Sequence, residues 1–131
     1  EICACLVGSE MCIRDRLGKT AKIIKTVKVG STADLENISE IDCEYLLLDA
    51  WSKEGEAAGG NGRTFEWSLI KALEKPFFLA GGITVDNVQQ AVRMTSPYGI
   101  DASSCMETED CKDLNKMKAF AQAVRVTETN N

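Results

Sequence analysis

From about residue 19 onward, apolar and polar positions settle into a regular alternation of two patterns. The run "AKIIKTVKVG" (21–30) is β-branched and closes on Gly30; "STADLENISEI" (31–41) opens on Ser31, a capping residue, and carries apolar positions at helical spacing. The first predicts a strand and the second a helix. The unit then recurs. "CEYLLLDA" (43–50) is followed by a glycine-rich loop and "TFEWSLIKALEK" (64–75), "PFFLAGG" (76–82) by "TVDNVQQAVRM" (84–94), and "YGIDASS" (98–104) by "KDLNKMKAFAQAVR" (112–125). Strands that are apolar along nearly their whole length are buried on both faces, and strict alternation with helices makes their sheet parallel. The fold class is therefore α/β, with four parallel strands alternating with helices. An open doubly wound sheet and a barrel both satisfy the pattern. Pro76 and Pro97 each precede a strand rather than interrupt one, as the missing N–H of proline requires.

Residues 1–16, "EICACLVGSEMCIRDR", keep neither period and hold Cys3, Cys5 and Cys12. "LVGSEMCIRDR" resembles a translated sequencing adapter, so 1–16 is set apart as a non-native segment and 17–131 as the folded domain. The competing reading is a genuine strand at 2–7. With 131 residues, 44% hydrophobic and 27% charged, the chain has the size and composition of one globular domain. A net charge of -5 and a pI near 4.8 argue against a nucleic-acid partner, which calls for a basic patch. No apolar run approaches the roughly 20 residues needed to span a membrane, and no signal peptide opens the chain, so a cytoplasmic protein is expected.

The six cysteines match neither the paired spacing of a zinc site nor a compact disulfide framework, and read as free thiols. Histidine is absent, which excludes Ser-His-Asp and Cys-His nucleophile systems within this chain. Acid-base chemistry falls to carboxylates, thiols or lysines.

In parallel α/β folds the loops leaving the carboxyl ends of strands form the ligand site. Asp49 closes "YLLLD" and Asp101 lies within "YGIDASS", both at such ends. The loop "GEAAGGNGRT" (55–64) is no P-loop, since Ala57 and Arg63 stand where that motif needs glycine and lysine. Its length fits an active-site lid or wall. "LAGGI" and "DASSCME" are better phosphate candidates, because glycines admit close backbone approach and serines add hydroxyl donors.

Taken in order, "LLLDA" (46–50), "GGNGRTFEWSLI" (59–70), "PFFLAGGITVDNV" (76–88) and "YGIDASSCMETEDCKDLNKMKAF" (98–120) resemble phosphoribosylanthranilate isomerase, a (βα)8 TIM barrel of tryptophan biosynthesis. The resemblance covers about 20–125 and implies the C-terminal half of that barrel, strands five to eight with their helices. The reaction it implies is an Amadori rearrangement of N-(5-phosphoribosyl)anthranilate to the open-chain 1-deoxyribulose 5-phosphate isomer, with no metal or cofactor. An acid protonates the furanose ring oxygen and a base removes the C2' proton. Asp49 matches the family's general acid; to carry a proton near neutral pH it must sit where burial disfavours the charged form. Gly81, Gly82, Ser103 and Ser104 match the phosphate site, and Asp101 would face ligand hydroxyls.

Cys105 and Cys111 stand where the family carries glycine, and a β-carbon at Cys105 is expected to crowd the phosphate or to strain the backbone if φ there is positive. The family's base, a cysteine on the first strand, and an anthranilate-holding arginine on the second have no counterpart in the matching units. The isolated chain is thus expected to bind a small phosphorylated substrate but to be catalytically silent. Its unpaired strand edges are expected to drive self-association or pairing with the missing N-terminal half. Two other readings remain at this point: another phosphosugar barrel, such as one of histidine biosynthesis, and a non-catalytic phosphate-binding or assembly module.

Overall fold

The computed structural model describes residues 21–50, 66–70 and 73–128. The adapter-like segment 1–16 and the glycine-rich loop therefore lie outside the described residues. Strands β1 (Ile24–Val29), β2 (Tyr45–Ala50), β3 (Phe77–Leu79) and β4 (Gly99–Ile100) form one sheet in the order β1-β2-β3-β4. Every neighbouring pair is parallel. Because the order never reverses, the sheet has no topological switch point, and the winding is that of a barrel segment rather than a doubly wound sheet.

The strand period of two sorts the side chains onto two faces. Val29, Leu46, Leu48, Phe77 and Leu79 point to the covered face and are buried, each contributing about 1.5 to 3 kcal/mol of transfer free energy. Helices α1 (Val88–Thr95) and α2 (Leu114–Glu128) belong to the same core, through Val88 and Ala91 of α1 and Phe120 of α2. The opposite face carries Ile24, Tyr45, Leu47 and Phe78, with Tyr98 just before β4. It is apolar too, yet Ile24 is 54% and Tyr98 65% exposed. Tyr45, Phe78 and Tyr98 stack on one another there, with ring centroids 5.1 to 5.8 Å apart. The expectation of strands apolar on both sides holds, while burial is achieved on one side.

Where two helices were expected, the described residues make 3-10 turns. Over 31–41 the chain makes two 3-10 turns, Thr32–Leu35 and Ile38–Glu40. The Asp34 carboxylate accepts hydrogen bonds from the Gly30 and Ser31 N–H groups and the Ser31 hydroxyl, a local arrangement that competes with helical propagation. Only Ile38 of these two turns is buried, so little packing favours a longer helix. Within 64–75 the described residues contain one 3-10 turn, Trp67–Leu69, flanked by extended Glu66 and Ile70. Burial of Trp67 and Ile70 anchors that turn against the core.

The last unit contains an unexpected hairpin. Strands β5 (Glu107–Thr108) and β6 (Cys111–Lys112) pair antiparallel around Glu109 and Asp110, both at positive φ. Asp113 then starts α2 by accepting hydrogen bonds from the Asn115 and Lys116 N–H groups through Oδ1.

Candidate active site

The sequence-predicted residues gather at the carboxyl ends of β2, β3 and β4. Asp49 is the penultimate residue of β2 and lies on the open face, directly across from Lys28 of β1 in the parallel register. The Lys28 ammonium forms an ion pair with Asp49 Oδ2 and the Asp49 side chain stays 28% exposed, so the burial expected around a protonated acid is not met in this chain alone. The other carboxylate oxygen, Oδ1, stands beside the loop leaving β3. A β-carbon built on Gly81 would fall 2.7 Å from Asp49 Oδ1 and 2.5 Å from the Ala50 nitrogen. Glycine at 81 is thus required twice, by its φ of +82° and by this close approach.

That loop is held by Asn87. Its side-chain Nδ2 donates to the Gly82 carbonyl at 2.9 Å, and its Oδ1 accepts the Thr84 N–H at 2.8 Å. The turn so formed keeps Gly81 and Gly82 at positive φ immediately before α1. Successive backbone N–H groups in such a turn make a concavity suited to an anion.

Asp101 follows β4 directly; its N–H donates to the Leu79 carbonyl at 2.9 Å and its side chain is exposed. Ser103 precedes a 3-10 turn, Ser104–Met106. The Lys112 ammonium donates to the Ser103 hydroxyl at 2.8 Å and to its carbonyl at 3.3 Å, and also pairs with Glu107. The hydrogen bond and then the charge of Lys112, with a smaller contribution from the Ser103 hydroxyl, hold the Glu107 carboxyl below its ordinary range. Asp113 is likewise lowered, first by the Thr108 hydroxyl and then by the Lys116 and Asn115 N–H groups. Asp34 is lowered by the N–H groups of Gly30 and Ser31 and by the Ser31 hydroxyl. These carboxylates brace the loops around the strand ends.

Cys105 departs from what its sequence position suggests. Its φ is not in the left-handed region, where Ser96, Glu109 and Asp110 are the non-glycine residues among those described. Its side chain packs against the hydrophobic core, and burial pushes the thiol up from its ordinary value. A raised, core-facing thiol is a poor nucleophile. Among the described residues Cys43, Cys105 and Cys111 form no disulfide, while Cys3, Cys5 and Cys12 lie outside them.

Sequence reasoning passed over Lys28, Asn87 and Lys112. The period of two places Lys28 on the same face as Ile24 and Thr26, but its meeting with Asp49 depends on the register of two strands. Asn87 had a readable signal, an Asx side chain three residues after Thr84 and just before a helical pattern.

Fold and site together define a parallel α/β sheet of barrel winding, with its polar residues collected at one end of the strands. The sequence profile of the N-(5'-phosphoribosyl)anthranilate (PRA) isomerase family matches residues 6–123. The chain belongs to this family. It is 36% identical over 109 residues to the N-(5'-phosphoribosyl)anthranilate isomerase of Caldanaerobacter subterraneus subsp. tengcongensis, covering 82% of this chain and 53% of that one. Its fold superposes on the crystal structure of phosphoribosyl anthranilate isomerase from Thermotoga maritima with a TM-score of 0.71 and 31% identity, over 89% of this chain and 57% of that one. A phosphoribosyl anthranilate isomerase solved with reduced 1-(o-carboxyphenylamino)-1-deoxyribulose 5-phosphate aligns with a TM-score of 0.64 at 27% identity, over 89% of this chain and 54% of that one. The chain spans about half the length of the curated relatives it matches. Among the described residues no helix is long and apolar enough to cross a membrane.

Proposed function

We propose that this chain supplies the C-terminal half of a PRA isomerase barrel acting in tryptophan biosynthesis in the cytoplasm, with β1 to β4 as strands five to eight. Asp49 is the general acid. It gives its proton to the furanose ring oxygen of N-(5'-phosphoribosyl)anthranilate as the C1'–O bond breaks, leaving a Schiff base. A base on the complementary half removes the C2' proton, and the enolamine relaxes to the ketone. The backbone at Gly81 and Gly82, with Ser103 and Ser104, takes the phosphate, and Asp101 faces the ligand hydroxyls. The phosphate and the reacting ring are thus gripped from adjacent strand ends, which fixes the geometry of proton transfer.

One observation carries this reading: the Asp49 carboxylate lies on the open sheet face with Oδ1 against the positive-φ turn at Gly81. Acid and anion cradle are therefore contiguous. The open apolar face around Ile24, Leu47 and Phe78 supports the other part of the proposal, since the inward side chains of a barrel pack against those of the opposite strands. Without that wall the chain is expected to self-associate or to pair with the complementary half, and to be inactive alone.

Calorimetric titration of the chain with reduced 1-(o-carboxyphenylamino)-1-deoxyribulose 5-phosphate, ribulose 5-phosphate and inorganic phosphate tests the substrate class. Tighter binding of the anthranilate-bearing ligand is expected. Equal affinity for all three would favour a phosphate-binding module instead.

A further inference from the structure

The geometry points to Lys28 as a positioning residue for the acid, a role that rests on the assignment of Asp49 made above. Lys28 and Asp49 are register partners on the open face of adjacent parallel strands, so the backbone itself brings their side chains together. Among the described residues the ammonium engages Oδ2 alone. Oδ1 is left against Gly81, on the side where the proposed phosphate turn begins. The two oxygens are therefore unlike: one is tied to a cation, the other faces the loop that would hold the ligand.

This asymmetry has a chemical consequence. When Asp49 protonates the ring oxygen, the C1'–O electron pair stays on that oxygen, the proton moves to it from Oδ1, and the carboxyl becomes a carboxylate. The Lys28 ammonium already lies on Oδ2, where the new negative charge is shared, so it stabilises the acid's conjugate base as it forms. It also fixes rotation of the carboxyl, so Oδ1 is the oxygen turned towards the ligand. An ion pair with side chains 51% and 28% exposed adds little to folding, so its effect should appear in turnover rather than in stability.

The test uses the full chain assembled with a polypeptide carrying strands one to four of a relative. Lys28→Met should lower kcat about 10- to 100-fold with KM changed less than about 2-fold, and Lys28→Arg should restore most of the loss. Thermal stability of the three proteins should be alike. In the full chain by itself, the Lys28 Nζ–H resonance should be protected from exchange and should lose that protection in Asp49→Asn. An inactive Asp49→Asn beside a fully active Lys28→Met overturns the role of Lys28 and leaves the acid in place. A fully active Asp49→Asn overturns the assignment of the acid itself. A Lys28 resonance indifferent to Asp49→Asn overturns the pairing on which the inference stands.

Discussion

Replacing Gly81 by alanine probes the junction of the sheet and the candidate site with a single methyl group. The backbone there has φ +82°, which L-residues adopt at a cost of roughly 1 to 2 kcal/mol. The new β-carbon would also fall 2.5 Å from the Ala50 nitrogen, 2.7 Å from the Ala50 β-carbon and 2.7 Å from Asp49 Oδ1. Two of these neighbours belong to the backbone or its first carbon and cannot swing aside. Overpacking of this kind costs about 1 to 3 kcal/mol, bringing the total to about 2 to 5 kcal/mol. For a domain of ordinary stability that is a large share of the whole. With a urea m-value of about 2 kcal/mol/M, the unfolding midpoint should fall by about 1 to 2.5 M. Gly82→Ala, at φ +65°, carries the left-handed penalty and should cost about 1 kcal/mol. A midpoint for Gly81→Ala within about 0.3 M of the parent would refute the close approach of Gly81 to Asp49 and Ala50.

Gly99→Ala would place a β-carbon 2.9 Å from the Phe78 ring; a loss of about 1 to 3 kcal/mol is expected in urea unfolding, together with a changed near-ultraviolet signal from the Tyr45, Phe78 and Tyr98 rings. Replacing Glu109 and Asp110 by Asn-Gly suits the positive φ of both turn residues and should raise stability by about 1 kcal/mol, read as a higher melting temperature. Asp34, Glu107 and Asp113 are lowered in the folded state, so their contribution is fully present above the ordinary carboxylate values of 3.8 and 4.5 and is lost as pH falls through the lower folded values. Stability measured from pH 6 down to about pH 2 should therefore decline, and Asp34→Asn with Asp113→Asn should flatten that decline. Cys105, half-buried with a raised thiol, should react with a thiol reagent more slowly than exposed Cys111, as mass spectrometry of the partly modified chain would reveal.

All four strands were legible because each is a short β-branched, leucine or aromatic run bounded by turn residues, and the structure places them where those runs stand. The helices divide by packing. α1 and α2 bury Val88, Ala91 and Phe120 against the sheet and form, whereas 31–41 offers Ile38 and an Asp34 side chain that satisfies the backbone locally. Spacing alone cannot register that competition. The hairpin of β5 and β6 escaped notice because its turn residues, Glu109 and Asp110, are not the glycine or asparagine that such φ values favour. In the candidate site, Asp49 and Asp101 could be placed at strand ends from the pattern of apolar runs. Lys28 could not be joined to Asp49, since the two are 21 residues apart and meet only through the sheet register. The backbone strain considered for Cys105 does not arise, because the residue sits within the 3-10 turn at 104–106 with its φ outside the left-handed region and its side chain against the core.

The open face of this four-stranded sheet is proposed to complete a PRA isomerase barrel. The most direct test is to follow the chain by sedimentation and by the loss of PRA fluorescence, before and after adding a polypeptide that carries strands one to four of a relative. A self-associating, inactive chain that converts to a one-to-one complex with isomerase activity is expected. A stable, inactive monomer that does not respond to the added half would contradict it.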